Sequence, residues 1–171
     1  MNYNCIMIGY EQIDKVLSIQ NEIDKNDIYY GNDDNASGYG IEKEPHITLL
    51  YGLYENVTWD DVKKYLSPLY EYKAMLYNVS SFHNENFDVL KMDIKSDKMV
   101  KTNKLLRDNL PHDDLHPEYH PHMTIAYLKP GCAKKYEQKM LDRIIGITPK
   151  EFLYSYGNKD KYDKETHKTL D

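Results

Sequence analysis

No apolar run in this sequence approaches the roughly 20 residues that a membrane-spanning helix needs. The mean hydropathy is −0.78, so a transmembrane helix is excluded. The first residues, Met1 to Gly9, also lack the charged start and long apolar middle of a secretory signal. A soluble, cytoplasmic protein without a membrane partner is the expectation. Cysteine is scarce, and Cys5 and Cys132 stand far apart at no metal or redox spacing. Cys5 reads as a buried apolar strand residue and Cys132 as a loop or helix-start thiol. Positive charge is in deficit, with 22 Lys and Arg against 28 Asp and Glu, a net −6. Nonspecific coating of nucleic acid rests on many Lys and Arg contacts to phosphate, so a long duplex is not an expected partner. The deficit is uneven: residues 1–85 hold 6 basic against 14 acidic side chains, and residues 86–171 hold 16 against 14. Any field that draws an anion must come mainly from the second half, and a small anionic ligand fits that balance.

What the sequence does have is one seven-residue stretch that occurs twice. Pro45-His46-Ile47-Thr48-Leu49-Leu50-Tyr51 and Pro121-His122-Met123-Thr124-Ile125-Ala126-Tyr127 share Pro, His, Thr and Tyr at the same offsets, with apolar residues between. On a strand, His and Thr of each copy face one way and Ile47/Leu49 or Met123/Ile125 the other. Around them the pattern predicts a strand at 4–10 and a helix at 11–23, whose apolar stripe Gln20 interrupts. A turn-rich loop at 24–44 comes next, whose Tyr29, Tyr30 and Tyr39 either cover a ligand or anchor the loop. After the first motif strand come a helix at 59–66 capped by Thr58 and a hairpin of strands 73–81 and 87–94. A helix at 98–110 with Asp97 as its cap, a polar loop at 111–119, the second motif strand, a helix at 133–144 and a last strand at 151–156 complete the chain. Residues 158–171 are charged and expected to fray.

In this order the second five elements repeat the first five. The expected architecture is α+β, with two similar lobes of antiparallel sheet related by a pseudo-two-fold axis around a central cleft. Residues 1–157 would form this single bilobal domain and 158–171 a flexible tail. The sequence carries no signal for an oligomeric state.

Imidazole has an unperturbed pKa of about 6.5, so a pair can hold opposite protonation states near neutrality. One accepts a proton from a ribose 2′-hydroxyl or a water, the other supplies one to the departing oxygen. The threonine hydroxyls can donate to non-bridging phosphoryl oxygens. His46, Thr48, His122 and Thr124 are therefore the expected catalytic set, acting on a phosphodiester with no cofactor and no metal.

The paired triplets His46-Ile47-Thr48 and His122-Met123-Thr124, each in an apolar strand, resemble the His-x-Thr motifs of the 2H phosphoesterase superfamily. That superfamily includes RNA 2′,3′-cyclic phosphodiesterases and the 2′-5′ RNA ligases. The stretch Tyr119 to Lys129, with Phe82 and Asp88-Val89-Leu90 upstream, is most similar to phage anti-CBASS nucleases, which degrade cyclic di- and trinucleotide immune signals. The resemblance implies a phosphodiesterase acting on a cyclic oligonucleotide, in the host cytoplasm if the chain is viral; the alternative substrate is an RNA end. It also implies aromatic residues that stack on bases, with Tyr10 the leading candidate and Phe82, Tyr154 and Tyr156 behind it. For each, ordinary packing is the competing reading. Lys129, just after the second motif, is a candidate phosphate contact or a solvated turn residue.

Two rival readings differ in class. His112, His116, His120 and His122 suggest a metal site, but Pro117 and Pro121 interrupt helical spacing and no carboxylate or cysteine pattern accompanies them. A protein that binds nucleotides without cleaving them would have no use for two paired acid-base groups.

Overall fold

The uninterrupted apolar run near the amino terminus forms strand β1 (Asn4–Tyr10), buried along its whole length, with Ile6, Ile8 and Tyr10 in the main core and Cys5 and Met7 clustered with Leu153. The computed structural model describes residues 2–11, 13–31, 38–140, 144–159 and 163–171. Helix α1 (Asp14–Asn21) buries Val16, Ile19 and Gln20. The first motif strand is β2 (His46–Leu53), and α2 (Trp59–Val62) starts at a capping box in which Thr58 and Asp61 bond each other's backbone, worth about 1 kcal/mol. The hairpin is β3 (Ala74–His83) with β4 (Asp88–Ile94). Helix α3 (Asp97–Asn109) is capped by Ser96, whose hydroxyl accepts from the Met99 amide at 3.2 Å. The cap therefore lies one residue earlier than expected, because Ser96 has the extended backbone a cap needs and Asp97 is already in the first turn. The second motif strand is β5 (His122–Leu128), followed by α4 (Lys134–Lys139). Residues 141–143 of the expected fourth helix lie outside the described residues.

Three strands close the chain: β6 (Ile145–Ile147), β7 (Pro149–Ser155) and β8 (Lys164–His167). The expectation of a frayed end fails at β8. It pairs with β7, and the His167 ring stacks flat on Trp59 at 3.9 Å, apolar contact that composition alone did not reveal. β6 is too short to leave a period-two pattern.

The eight strands among the described residues join one curled antiparallel sheet in the order β6-β3-β4-β5-β2-β1-β7-β8. The motif strands are central neighbours that meet at Ile47 and Met123. Each is flanked by the strand that opens its own half, β1 beside β2 and β4 beside β5. The third strands are exchanged: β3 sits beyond β4, and β7 returns to lie beyond β1. The two similar lobes are thus interleaved rather than consecutive in the chain. Ile6, Ile8, Ile47, Leu49, Met92, Met123, Ile125 and Phe152 share one core with Val16 and Ile19 of α1 and Met99 and Leu106 of α3. The other face of the sheet carries the cleft. No helix among the described residues is long and apolar enough to cross a membrane.

Candidate active site

Strand parity sets the first two side chains of each motif and a bulge sets the third. His46 pairs with Gly9 and Thr48 with Met7, but the register then slips, so Leu50 faces Ile6 and Tyr51 faces Cys5. The second motif slips at the same place: Thr124 faces Lys91, Ala126 faces Leu90 and Tyr127 faces Val89. Each slip inserts one residue, which bends the strand and re-aims the side chains beyond it. Leu49 with Leu50 and Ile125 with Ala126 are consequently buried as pairs, and Tyr51 and Tyr127 turn to the cleft beside His and Thr. Strict alternation would have sent both tyrosines into the core.

Each bulge is held by a buried amide from a helix. Asn103 of α3 donates to the Leu49 carbonyl at 2.6 Å, and Gln20 of α1 donates to the Ile125 carbonyl at 3.1 Å. The helix of each half thereby clamps the motif of the other. This is why Gln20 breaks an otherwise apolar stripe.

The histidines are oriented alike. The Nδ1 of His46 bonds the Glu44 carbonyl and the Nδ1 of His122 the His120 carbonyl, each at 2.8 Å. A carbonyl only accepts, so Nδ1 carries the proton and the neutral ring keeps its lone pair on Nε2. Both rings and both threonines line a cleft of about 1000 Å³. Burial pushes the His122 pKa below the usual imidazole value; the nearby Lys91 and His46 add to that, while the His120 carbonyl and Asp93 oppose it.

This depression has a consequence for stability. A histidine whose folded pKa lies below its unfolded value of about 6.5 contributes fully above that pH, and the contribution is lost as pH falls toward the folded pKa. Denaturant unfolding at pH 8 and pH 5.5 is expected to show an acid-side loss that shrinks in His122→Gln. An equal loss in both proteins would overturn the assignment.

The two halves differ beside their histidines. The residues cross-strand from Thr124 and His122 are Lys91 and Asp93, whereas those from Thr48 and His46 are Met7 and Gly9. Lys91 is buried, contacts Asp93 and Ser80 at 2.5 Å each, and lies 4.4 Å from the centre of the Phe82 ring. Burial works against the Asp93 carboxylate, yet Lys91, Asn78 and Ser80 outweigh it and hold its pKa below the usual carboxylate range. On the first side, Lys164 of β8 reaches the cleft and pairs with Glu44 at 3.0 Å, and burial pushes the Cys5 thiol up to about 12 against an opposing hydrogen bond to Thr48.

Of Tyr10, Phe82, Lys129, Tyr154 and Tyr156, Phe82 lines the cleft, its ring edge-on to His122 at 5.1 Å, and Tyr39 of the 24–44 loop lines it too. Tyr10 is buried in the core, where its hydroxyl donates to the Tyr72 carbonyl at 2.9 Å. Tyr154 is fully buried and donates to the Val57 carbonyl at 2.7 Å. Tyr156 packs edge-on against Tyr154 and donates to Glu165. Lys129 lies outside the cleft, at an exposed turn where its amide bonds Asp27. The cause is parity: Cys5 and Met7 of β1 and Ser155 of β7 face the cleft, so Tyr10 and Tyr154 face away. The all-apolar run of β1 hid that parity.

The loop at 111–119 forms one wall. Gly52, at φ +105, admits it closely, because a Cβ there would lie 2.6 Å from the Asp113 carbonyl oxygen. Tyr3 and Tyr54 hold Asp113 through its two carboxylate oxygens, and Arg107 bonds Asp114 and the carbonyls of His116 and Pro117. His116 and His120 also line this cleft. Among the described residues, no three His, Cys, Asp or Glu side chains gather to hold a metal ion.

A family model described as the 2′-5′ RNA ligase superfamily matches residues 19–148. Among solved structures, Usb1 of Kluyveromyces marxianus is similar over 97% of both chains, with 8% identity and a TM-score of 0.59. A second structure of that protein, with uridine monophosphate, is similar over 97% of this chain and 98% of its own at 7% identity and a TM-score of 0.53. TT0787 of Thermus thermophilus is similar over 99% of both chains, at 14% identity and a TM-score of 0.52. At these identities the likeness is one of fold. No curated protein matches the sequence.

Proposed function

The chain belongs to the 2′-5′ RNA ligase superfamily, and on that premise we propose that it is a metal-independent phosphodiesterase that hydrolyses cyclic di- or trinucleotide signals, as the anti-CBASS nucleases its motif context resembles do. The observation that carries this reading is the duplicated centre. Two histidines, each with Nδ1 held by the carbonyl two residues back, bring Nε2 and a threonine to one cleft.

His122 is the base and His46 the acid. Burial favours the neutral form of His122, and its Nε2 takes the proton of a water or a ribose 2′-hydroxyl as that oxygen attacks phosphorus. The bond from phosphorus to the leaving oxygen breaks, and protonated His46 delivers a proton to that oxygen. Thr48 and Thr124 donate to the non-bridging oxygens, where charge grows. Phe82 stands against His122 and forms part of the substrate's apolar surroundings.

The limb of the kcat/KM profile set by the base is expected to lie below the ordinary imidazole value of about 6.5. A base limb above that value would reverse the two roles.

A second reading is an RNA end bearing a 2′,3′-cyclic phosphate. The family description and the uridine monophosphate in a structurally similar protein favour it. The deciding experiment incubates the protein, in excess chelator, with cyclic di- and trinucleotides, linear RNA and cyclic-phosphate-ended RNA, and identifies products by mass. Cleavage of the cyclic oligonucleotides supports the first reading, and turnover confined to RNA ends replaces it with the second. Recovery of uncleaved nucleotide from denatured protein would mark a binder, and activity lost in chelator and restored by zinc would overturn the metal-free mechanism.

A further inference from the structure

The duplicated motif contains a third shared side chain that the acid-base reading leaves without a role. Tyr51 and Tyr127 stand five residues after their histidines, on the cleft face only because both motif strands bulge at the same place. Each bulge is supported by a buried amide from a helix, Asn103 for one and Gln20 for the other. A bulge disrupts the ladder and leaves its extra residue unpaired. Two of them at corresponding positions, each aiming a tyrosine at one cleft, point to what those rings contact.

We propose that Tyr51 and Tyr127 are base-stacking walls on opposite flanks of the reacting phosphate, so that the cleft takes a phosphodiester with a nucleoside on each side of the scissile bond. The proposal rests on the phosphodiesterase reading above and deepens it. Each tyrosine lies beyond the threonine of its own motif, and the motif strands run antiparallel as neighbours about the pseudo-two-fold axis. The rings therefore diverge from the shared His and Thr centre, one to each flank. A substrate with a single nucleoside beside its phosphate would engage one of them, whereas a dinucleotide engages both. Aromatic faces accept any base, because every base has a π-face.

The two flanks are not equivalent. Tyr51 is 43% exposed, has the Tyr3 ring edge-on at 5.8 Å and stands 6.5 Å from His116, which offers a base an open platform. Tyr127 is half-buried and meets Tyr39 at 5.4 Å and Phe87 at 5.5 Å, both edge-on. Tyr39 and Phe87 line the same cleft. That flank is a corner of three rings, closed on more sides than the first. Discrimination between bases therefore belongs to the Tyr127 side, and the Tyr51 side tolerates any base.

The test uses the full chain, the dinucleotide ApA, and two analogues of it that lack one base or the other. Tyr51→Ala and Tyr127→Ala are each expected to raise KM for ApA about 5- to 150-fold with kcat little changed, while Tyr51→Phe and Tyr127→Phe stay near the parent. Deleting the base that a given tyrosine holds is expected to cost the parent a similar factor, and to cost the matching Ala variant almost nothing more. Unchanged KM in both Ala variants, or losses that simply multiply for every pairing of variant and deleted base, would overturn the proposal. Calorimetric binding of a non-cleavable methylenephosphonate analogue of ApA separates this from the activity itself. If the parent binds the analogue and both Ala variants bind it 5-fold or more weakly, the walls stand even where ApA is not turned over. Equal binding by parent and variants removes them whether or not it is cleaved.

Discussion

His46→Ala and His122→Ala are each expected to lower turnover by about two to four orders of magnitude, the usual contribution of a positioned acid or base. The fold should survive both changes, because each ring begins its strand on the cleft face, half-buried, and neither is part of the core. The two histidines act on one proton inventory, so the double variant should be little slower than the worse single one. Steady-state rates at matched folded fraction, monitored by circular dichroism, check this. Near-normal turnover in both single variants would remove the acid-base mechanism. Losses that multiply in the double variant would separate the two histidines into independent roles.

Asn103→Leu should be the most costly single change remote from the reacting atoms. The branched heavy-atom skeleton of the side chain is kept, but the Leu49 carbonyl loses the amide that meets it at 2.6 Å in a buried setting. Removing one partner of a buried hydrogen bond costs about 1–3 kcal/mol. Gln20→Leu is the matched experiment at the other bulge: the Ile125 carbonyl keeps the Glu42 amide at 3.0 Å, whereas the Glu42 carbonyl loses its 2.8 Å bond to Gln20. Denaturant midpoints at unchanged m-value read the stability, and KM reads the aim of Tyr51 and Tyr127. A midpoint that moves in neither variant would show that the amides do not support the bulges.

The parts legible in the sequence are those that local chemistry decides. Thr58 followed by Asp61 announced a helix start, and the structure contains the reciprocal cap. The paired Pro-His-x-Thr stretches announced two equivalent strands, and these lie side by side at the centre of the sheet. What the sequence hid was facing. Tyr10 and Tyr154 were plausible stacking residues until strand parity put them in the core, because a run buried on both faces has no polar alternation from which to read parity. Nothing in its sequence context marks Lys91, whose ammonium is buried against Asp93 and Ser80. Only pairing with β3 and β5 makes it a neighbour of His122. Gln20 did leave a trace, as the one polar residue in an apolar stripe, and its reason became visible when the carbonyl it meets was found to come from Ile125, far away in the chain.

The sequence by itself determined the chemistry on offer: two imidazoles and two hydroxyls on period-two spacing, in a chain poor in basic charge, with the order of elements repeated. Those properties reside in residue identity and short-range spacing, which survive any arrangement of the rest. Tertiary structure alone decided which tyrosines face the cleft, which half of the sheet receives β3 and β7, and that β8 closes the edge. Each of these depends on hydrogen-bond register between strands far apart in the chain, and a one-residue slip in that register turns a side chain from core to cleft.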